Sequence, residues 1–163
     1  MKRHLPLAIL LAFWIGLYGC AGPSLPDFSA LSLPETAPPT PAQTKVIQTA
    51  RSLLGTPYRF GGTTPKGFDC SGFIGYVFLK GAGLSLPRTS DDLSESGRPV
   101  SVSDLRPADL VYFKIERQKP LHVGIYIGKG RFIHAPSSKG QVNIQRLDLD
   151  YWRNRYLGAR RLL

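Results

Sequence analysis

The sequence has few of the residues that bind metals or cross-link small folds. Its 163 residues include two cysteines and three histidines, and neither a C-x-x-C nor an H-x-x-x-H spacing occurs among them. The absence of these spacings argues against a zinc site, and we predict that the chain needs no metal or other cofactor. Two cysteines are also too few for a disulfide framework, because Cys20–Cys70 is the single intrachain bridge available.

Long apolar runs are missing as well. The longest, residues 5–17, is too short to span a membrane comfortably, and it follows a short basic segment as in a signal peptide. It ends in Leu17-Tyr18-Gly19-Cys20, which resembles the processing signal of bacterial lipoproteins. The resemblance implies that residues 1–19 are a lipoprotein signal peptide and that Cys20 carries lipid. An uncleaved membrane anchor and a signal peptide cut elsewhere are the alternatives.

Acidic residues are scarce. The chain has 11 Asp and Glu against 21 Lys and Arg, a formal net charge of +10. Basic exported proteins commonly meet anionic partners, here phospholipid headgroups or a carboxylate-rich cell wall. We do not expect nucleic acid as a partner, because the chain carries an export signal and lacks a basic cluster interleaved with aromatic residues. Much of the charge is expected to lie on a solvated surface.

Composition divides the rest of the chain into a tether and one domain. Residues 20–42 are rich in Pro, Ser, Thr and Ala, and we predict a Pro-rich tether that does not order itself. Residues 43–163 have room for one ordinary domain. Its first element is predicted to be a packing helix that stops at Gly55. The apolar residues at helical spacing in it are Val46, Ile47, Ala50, Leu53 and Leu54.

A second helix is predicted to begin at Cys70. A loop of Gly, Pro and Thr leads into Asp69, an N-cap residue type, and an apolar run follows up to Gly81. In the first turn, free backbone N–H groups and the helix dipole stabilise a thiolate. A small buried cysteine is the plainer interpretation. Gly72 and Gly75 are expected to let neighbouring elements approach closely.

The C-terminal half changes from helical spacing to alternation. A short polar helix is predicted from Thr89 or Ser90 to Glu95, and Gly128 to Gly130 form a hairpin turn. The predicted strands are residues 110–113, 123–127, 131–135, 142–144 and 157–162. Helices followed by a meander of strands predict an α+β fold with helices packed on an antiparallel sheet.

The hairpin is predicted to bring two histidines together. His122 and His134 would lie at or near opposite positions on one face, with Cβ atoms roughly 5 Å apart. Gly124 on the same face would leave room for a substrate. With Cys70 they could form a nucleophile, a base and an orienting group. Zinc binding by the same three residues is the rival interpretation.

The order of the motifs resembles the NlpC-type cell-wall endopeptidases, which are papain-like cysteine peptidases. The similarity runs from about Gln43 to the C-terminus. The motifs are Leu54-Gly55-x-Pro57-Tyr58-x-x-Gly61-Gly62, Phe68-Asp69-Cys70-Ser71-Gly72, Leu86-Pro87-Arg88-Thr89-Ser90, Asp109-Leu110-Val111, His122-Val123-Gly124-Ile125-Tyr126-Ile127-Gly128 and Ile133-His134-Ala135. The resemblance implies a papain-like α+β fold in residues 43–163, in which one N-terminal helix carries the catalytic cysteine.

The same resemblance implies a role for each matched residue. Cys70 would be the nucleophile, His122 the general base and acid, and His134 the orienting group. Cys70 and His122 would form a thiolate–imidazolium pair at rest. Tyr58 and the backbone N–H of Cys70 would bind the oxyanion.

Asp69 and Ser71 would line the site and contact the substrate. Asp69 as a helix cap, Tyr58 as a loop anchor and Arg88 as a surface charge are the structural alternatives. Two residues depart from the usual pattern, namely Leu93 in place of Gln and Ala108 in place of Gly.

The activity that the resemblance implies is hydrolysis of peptidoglycan. The bonds would be stem-peptide or cross-link amides of meso-diaminopimelate, either D-Glu(γ)–diaminopimelate or D-Ala–diaminopimelate. The relatives it suggests are lipoproteins of the outer membrane that face the periplasm, and we expect a monomer anchored to the membrane by its N-terminal lipid. A catalytically idle peptidoglycan-binding lipoprotein and a thiol acyltransferase on the same fold are the alternative functions.

Overall fold

The computed structural model describes Phe28, residues 38–136 and residues 140–163. The predicted signal peptide, the lipidation site at Cys20 and most of the predicted tether lie outside the described residues. No helix within the described ranges is long and apolar enough to cross a membrane.

The first helix, α1, spans Pro41–Ser52 and begins two residues before the predicted domain boundary. Thr40 and Gln43 form a capping box at its N-terminus, which satisfies two backbone N–H groups that the helix leaves free. Its buried face carries Val46 and Ala50. The helix meets the next helix closely at Gly81, where an added Cβ would lie 2.7 Å from Val46 Cα.

The second helix, α2, spans Cys70–Ala82 and confirms the predicted start at Cys70. The Asp69 side chain caps it by accepting from the backbone N–H of Gly72 at 2.7 Å. Gly83 ends it in the left-handed conformation, with φ of 67°. The expected close approach holds at Gly72, where an added Cβ would lie 2.1 Å from the Gly62 carbonyl oxygen. It fails at Gly75, which faces open space.

A short helix, α3 at Ser90–Ser94, follows as predicted, with Thr89 as its N-cap. The strands are β1 at Thr63–Thr64, β2 at Gly67–Phe68, β3 at Arg98–Val100, β4 at Leu110–Phe113, β5 at His122–Gly128, β6 at Arg131–His134, β7 at Asn143–Arg146 and β8 at Tyr156–Arg161. A last helical turn, α4, spans Asp150–Arg153. The hairpin of β1 and β2, strand β3 and helix α4 were not predicted.

Six of the strands form one antiparallel sheet in the order β3-β8-β4-β5-β6-β7. Helices α1 and α2 cover one face, where they bury Val123 and Ile125 of β5. The opposite face is also buried, by an aromatic cluster around Phe113, Phe132 and Trp152. All seven residues of β5 are therefore buried, and the histidine that begins this strand lies inside the fold.

One residue of the predicted tether belongs to the aromatic face. Phe28 is 9% exposed, and its ring meets that of Tyr156 edge to face at 5.4 Å between centroids. Phe28 lies within the predicted tether of residues 20–42, and this one side chain is buried against the domain. A large apolar side chain gains more by covering the aromatic cluster than by remaining in water.

A buried ion pair joins the end of β8 to the residue that precedes β4. Arg161 donates from Nε to Asp109 Oδ1 at 2.7 Å and from Nη2 to Oδ2 at 2.6 Å, and both residues are buried. Asp109 also accepts from the backbone N–H of Arg106. Ala108 beside it has φ of 75°, a left-handed conformation that glycine adopts more readily.

Candidate active site

Cys70 lies where helix α2 begins beside strand β5. Its Sγ is 3.3 Å from Ser90 Oγ, and backbone groups of Ser71 and Val123 also hydrogen-bond it. Val123 is the neighbour of His122 in β5. The packing of α2 on the sheet therefore brings the thiol to the strand that carries the first histidine.

Burial raises the pKa of the Cys70 thiol above its ordinary value. The hydrogen bond from Ser90 opposes this rise, while the nearby carboxylate of Asp69 adds to it. Burial also lowers the pKa of His122, to about 4. Both directions favour a neutral thiol and a neutral imidazole over a thiolate–imidazolium pair.

The two histidines form a buried pair. His122 Nε2 lies 2.7 Å from His134 Nδ1, with the rings nearly perpendicular at 87°. On the other side of His134, Nε2 lies 3.1 Å from Oδ1 of Asn143. Burial lowers the pKa of His134 to about 3, and the adjacent His122 lowers it further. The pair is therefore neutral near pH 7.

The pairing of the histidines is diagonal. Ile125 lies opposite Ile133 in the sheet, so His134 falls opposite Gly124 and not opposite His122. The shift arises because the turn lies closer to His134 than to His122, since Gly128 pairs with Arg131 across it. An irregularity in the ladder between residues 126 and 128 moves the register back by one residue. Two long side chains on one face can still reach each other across a diagonal, which explains the short distance between the rings.

The predicted space for a substrate at Gly124 does not exist. A Cβ added there would lie 2.6 Å from a ring carbon of Phe132, so the aromatic cluster fills this position. Open space lies beside the histidines, in a cleft of roughly 350 Å³. The lining residues include Ile115, His122, His134, Asn143, Tyr151 and Trp152.

Asp69, Ser71 and Arg88 form a second polar cluster at the start of α2. Arg88 donates from Nη1 to Asp69 Oδ1 at 3.0 Å, from Nη2 to Oδ2 at 2.5 Å and from Nη1 to Ser71 Oγ at 2.8 Å. Asp69 Oδ2 also accepts from the backbone N–H of Gly61 at 3.0 Å. Asp69 is thus the helix cap and the anchor of Arg88, and Arg88 is more than an isolated surface charge.

Tyr58 lies in the loop beside this cluster. Burial raises the pKa of its hydroxyl, the proximity of Cys70 and Asp69 raises it further, and that of Arg88 lowers it. The four side chains therefore share one neighbourhood. Its backbone N–H donates to the carbonyl of Gly140 at 2.8 Å. The loop that carries Tyr58 is therefore attached to the segment that leads into β7.

Three site residues were not predicted, namely Ser90, Asn143 and Trp152. Trp152 stacks on His122 with ring centroids 5.8 Å apart and meets His134 edge to face at 4.9 Å. Its position in α4 carries no local motif, so no signal in the sequence marks it. Among the residues that the structure describes, no group of three or more His, Cys, Asp or Glu side chains is placed to hold a metal ion.

A cysteine at a helix N-terminus beside an antiparallel sheet that carries a buried histidine pair defines the papain-like class of α+β folds. The model of the NlpC/P60 family matches residues 55–161 of this chain. The chain belongs to the NlpC/P60 family, as the order of its motifs predicted.

Individual proteins named as murein endopeptidase or glutamyl hydrolase are also similar to this chain. The chain is 47% identical over 121 residues to murein DD-endopeptidase MepS/murein LD-carboxypeptidase of Escherichia coli K12, a match that covers 74% of this chain and 63% of that protein. It is 42% identical over 127 residues to gamma-DL-glutamyl hydrolase of Bacillus subtilis, covering 77% of this chain and 30% of that protein. It therefore spans only part of the length of these relatives.

Among solved structures, an NlpC/P60 family protein from Bacillus cereus superposes with a TM-score of 0.68 at 38% identity. The match covers 76% of this chain and 41% of that one. This superposition confirms the predicted α+β papain-like fold.

Proposed function

We propose that this protein is a peptidoglycan endopeptidase that hydrolyses amide bonds of meso-diaminopimelate through Cys70, His122 and His134. The observation that carries the proposal is the thiol placed at the start of α2, against the strand that begins with His122. The relatives named as murein endopeptidase and glutamyl hydrolase support the substrate class. Peptidoglycan is accordingly the proposed binding partner.

In the proposed mechanism the thiol is deprotonated as it attacks. Since His122 Nε2 is engaged by His134, Nδ1 is the nitrogen left to serve Cys70. Nδ1 takes the thiol proton while Sγ forms a bond to the scissile carbonyl carbon, and the carbonyl oxygen becomes an oxyanion.

The oxyanion accepts from the backbone N–H of Cys70 and from the Tyr58 hydroxyl. The His122 imidazolium then gives its proton to the leaving amine as the C–N bond breaks. Water then attacks the carbonyl carbon of the resulting thioester while His122 takes a proton from it. The C–S bond breaks to release the carboxylic acid product, and the proton returns from His122 to Sγ, which restores the thiol.

The polar cluster at the start of α2 is the proposed substrate-binding surface. Asp69 already accepts from Gly61, Gly72 and Arg88, so its carboxylate holds the other groups in place. Asp69 and Ser71 hold the Arg88 guanidinium, whose side chain is 48% exposed and can meet a stem peptide. A guanidinium suits a peptide carboxylate such as that of diaminopimelate.

Purified muropeptides analysed by mass spectrometry test the activity. We expect the wild type to cleave either the D-Glu(γ)–diaminopimelate or the D-Ala–diaminopimelate bond, and the product masses identify which. Cys70→Ala and His122→Ala should reduce turnover to background, whereas His134→Gln should retain part of it, because an amide oxygen can still accept a hydrogen bond. Lys66→Ala, an exposed change in the turn between β1 and β2, serves as the control.

Each alternative function has its own outcome in that experiment. Unchanged muropeptides that nevertheless bind to the protein would identify an idle wall-binding lipoprotein. Products with an added acyl acceptor would identify a thiol acyltransferase. Stoichiometric zinc in the active wild type, lost together with activity in both histidine variants, would favour the metal interpretation.

We also propose that Cys20 carries lipid and anchors the protein, as a monomer, to the outer membrane on its periplasmic side. The support is the sequence Leu17-Tyr18-Gly19-Cys20 after a basic and then an apolar segment. Radiolabelled palmitate should enter the wild type but not Cys20→Ala. A wild type that fractionates as a free periplasmic protein would contradict the proposal.

A further inference from the structure

Asn143 extends the histidine pair by one more hydrogen bond. It lies opposite His134 in the pairing of β6 with β7, and its Oδ1 is 3.1 Å from His134 Nε2. The chain of polar contacts therefore runs from His122 through His134 to Asn143 on three neighbouring strands. The asparagine contacts neither Cys70 nor His122 directly.

The orientation of the Asn143 amide is determined by its other contacts. Nδ2 donates to the backbone carbonyl of Gln141 at 3.0 Å, and Oδ1 accepts from Nε2 of Gln145 at 3.3 Å. A rotated amide would place Oδ1 against the Gln141 carbonyl and Nδ2 against the Gln145 amino group. Both hydrogen bonds would become repulsive, so Oδ1 is the atom that faces His134.

An acceptor at this position determines where the protons of both histidines lie. Because Oδ1 has no proton to donate, His134 carries its proton on Nε2, and its Nδ1 holds a lone pair. That lone pair must accept across the 2.7 Å contact, so His122 carries its proton on Nε2 as well. The Nδ1 atom of His122 is then unprotonated.

We infer that Asn143 is a positioning residue that keeps His122 in the tautomer whose Nδ1 can accept the thiol proton. The catalytic consequence rests on the proposed function, whereas the tautomers themselves do not. Asn143 acts through His134 and touches no reacting atom.

The carbonyl that orients Asn143 is itself held firmly. Segment 140–142 is bonded to the loop that carries Tyr58 by Gly55 N–H to Val142 O at 2.9 Å, Val142 N–H to Thr56 O at 2.8 Å and Tyr58 N–H to Gly140 O at 2.8 Å. The Gln141 carbonyl lies inside this clamp, so the amide that it orients has little freedom to rotate.

The tautomers can be measured by NMR on the full chain labelled with ¹⁵N-histidine at pH 7.5. Long-range ¹⁵N–¹H correlations distinguish a proton on Nδ1 from a proton on Nε2, and His122→Gln and His134→Gln assign the signals. We expect both residues as the Nε2–H tautomer in the wild type. Asn143→Leu should give a mixture, because the leucine cannot accept from Nε2. Arg146→Gln, an exposed change on the same strand, should leave the pattern unchanged.

Kinetics on muropeptides provide the second readout. General acid–base catalysis contributes roughly 10²–10⁴-fold, and loss of the preferred tautomer should remove part of this, so Asn143→Leu should lower kcat about 10- to 100-fold. KM should change by less than about twofold, since Asn143 acts on proton transfer. Asn143→Asp should recover most of the loss, because a carboxylate oxygen also accepts from Nε2–H.

The inference is overturned if wild-type His134 carries its proton on Nδ1, a result that depends on no variant being folded. It is overturned equally if folded Asn143→Leu, checked by circular dichroism, keeps the wild-type tautomers or the wild-type kcat. A wild type without hydrolytic activity would refute the proposed function alone, and the NMR result would still decide the role of Asn143.

Discussion

Mild acid should destabilise this fold because two neutral histidines are buried in it. Burial lowers the pKa of His122 to about 4 and that of His134 to about 3, whereas both titrate near 6.5 in the unfolded chain. Below pH 6.5 the unfolded state therefore binds protons that the native state does not. The free energy of unfolding decreases as the pH falls through 6.5, and it continues to decrease until the pH reaches the pKa values of the two histidines in the native state.

The size of the effect follows from the pH interval. At pH 5.5, the acid end of the interval from pH 7.5, the pH is about one unit below the pKa of each histidine in the unfolded chain. This costs about 1.4 kcal/mol per histidine, or about 3 kcal/mol for the pair. Both native pKa values lie below this window. The native pair thus stays neutral throughout, and the coupling between the two rings does not enter.

Urea unfolding at pH 7.5 and pH 5.5 measures this difference. The comparison is between the wild type and the double variant His122→Gln, His134→Gln, in which both titrating groups are removed. The variant has its own stability, but the dependence on pH is the quantity compared, and all other titrating groups are common to both chains. We expect the wild type to lose about 3 kcal/mol more than the variant.

Equal losses in the two chains would refute the reasoning. They would mean that the histidines are protonated in the native state at pH 5.5, or that the unfolded chain keeps them from titrating normally. A larger loss in the variant would have the same meaning. A change in the urea dependence of the unfolding free energy with pH would show instead that the transition is not two-state.

Three further results are expected. Iodoacetamide labelling of Cys70 in the Cys20→Ser chain should still be accelerating at about pH 9, since burial raises the thiol pKa, and a plateau below pH 7 would show a preformed ion pair. The acid limb of kcat/KM should reflect the native pKa of His122, about 4, so activity should persist at pH 5.5; a limb near 6.5 would show that the base is exposed during turnover. Gly124→Ala should lower the free energy of unfolding by about 1–3 kcal/mol, because the added methyl group would overpack against the ring of Phe132. Gly75→Ala, at an open position in α2, should raise it by about 0.5–1 kcal/mol. Equal effects of the two changes would contradict the packing described for these glycines.

Local signals were enough to predict the elements that carry the nucleophile and the base. The start of α2 depends on the Asp69 carboxylate and on the glycines around it, all of which are neighbours in sequence. Strand β5 was predicted because its alternating apolar residues belong to one short run. The signal for each feature lies within one short stretch of the chain, so a pattern in the sequence is sufficient to reveal it.

Features that depend on distant residues could not be predicted in the same way. The bidentate pairing of Arg88 with Asp69 joins residues 19 positions apart, and the histidines are covered by Trp152 from a helix of four residues. The cross-strand register differs by two residues from direct pairing of the histidines, because the turn between Gly128 and Arg131 lies closer to His134 than to His122. The neutral state of the histidine pair follows from burial on both faces of the sheet, which no single segment encodes.

The backbone clamp between the Tyr58 loop and segment 140–142 has a kinetic consequence. Its bonds join Gly55 to Val142, which are 142 − 55 = 87 residues apart in the chain. Loops of this length close late, after helices and hairpins have formed from nearby residues. A refolding chain should therefore regain most of its secondary structure first. At that stage the nucleophile on α2 and the histidines on β5 and β6 have not yet reached their native positions relative to one another. Catalytic competence would be among the last properties to return.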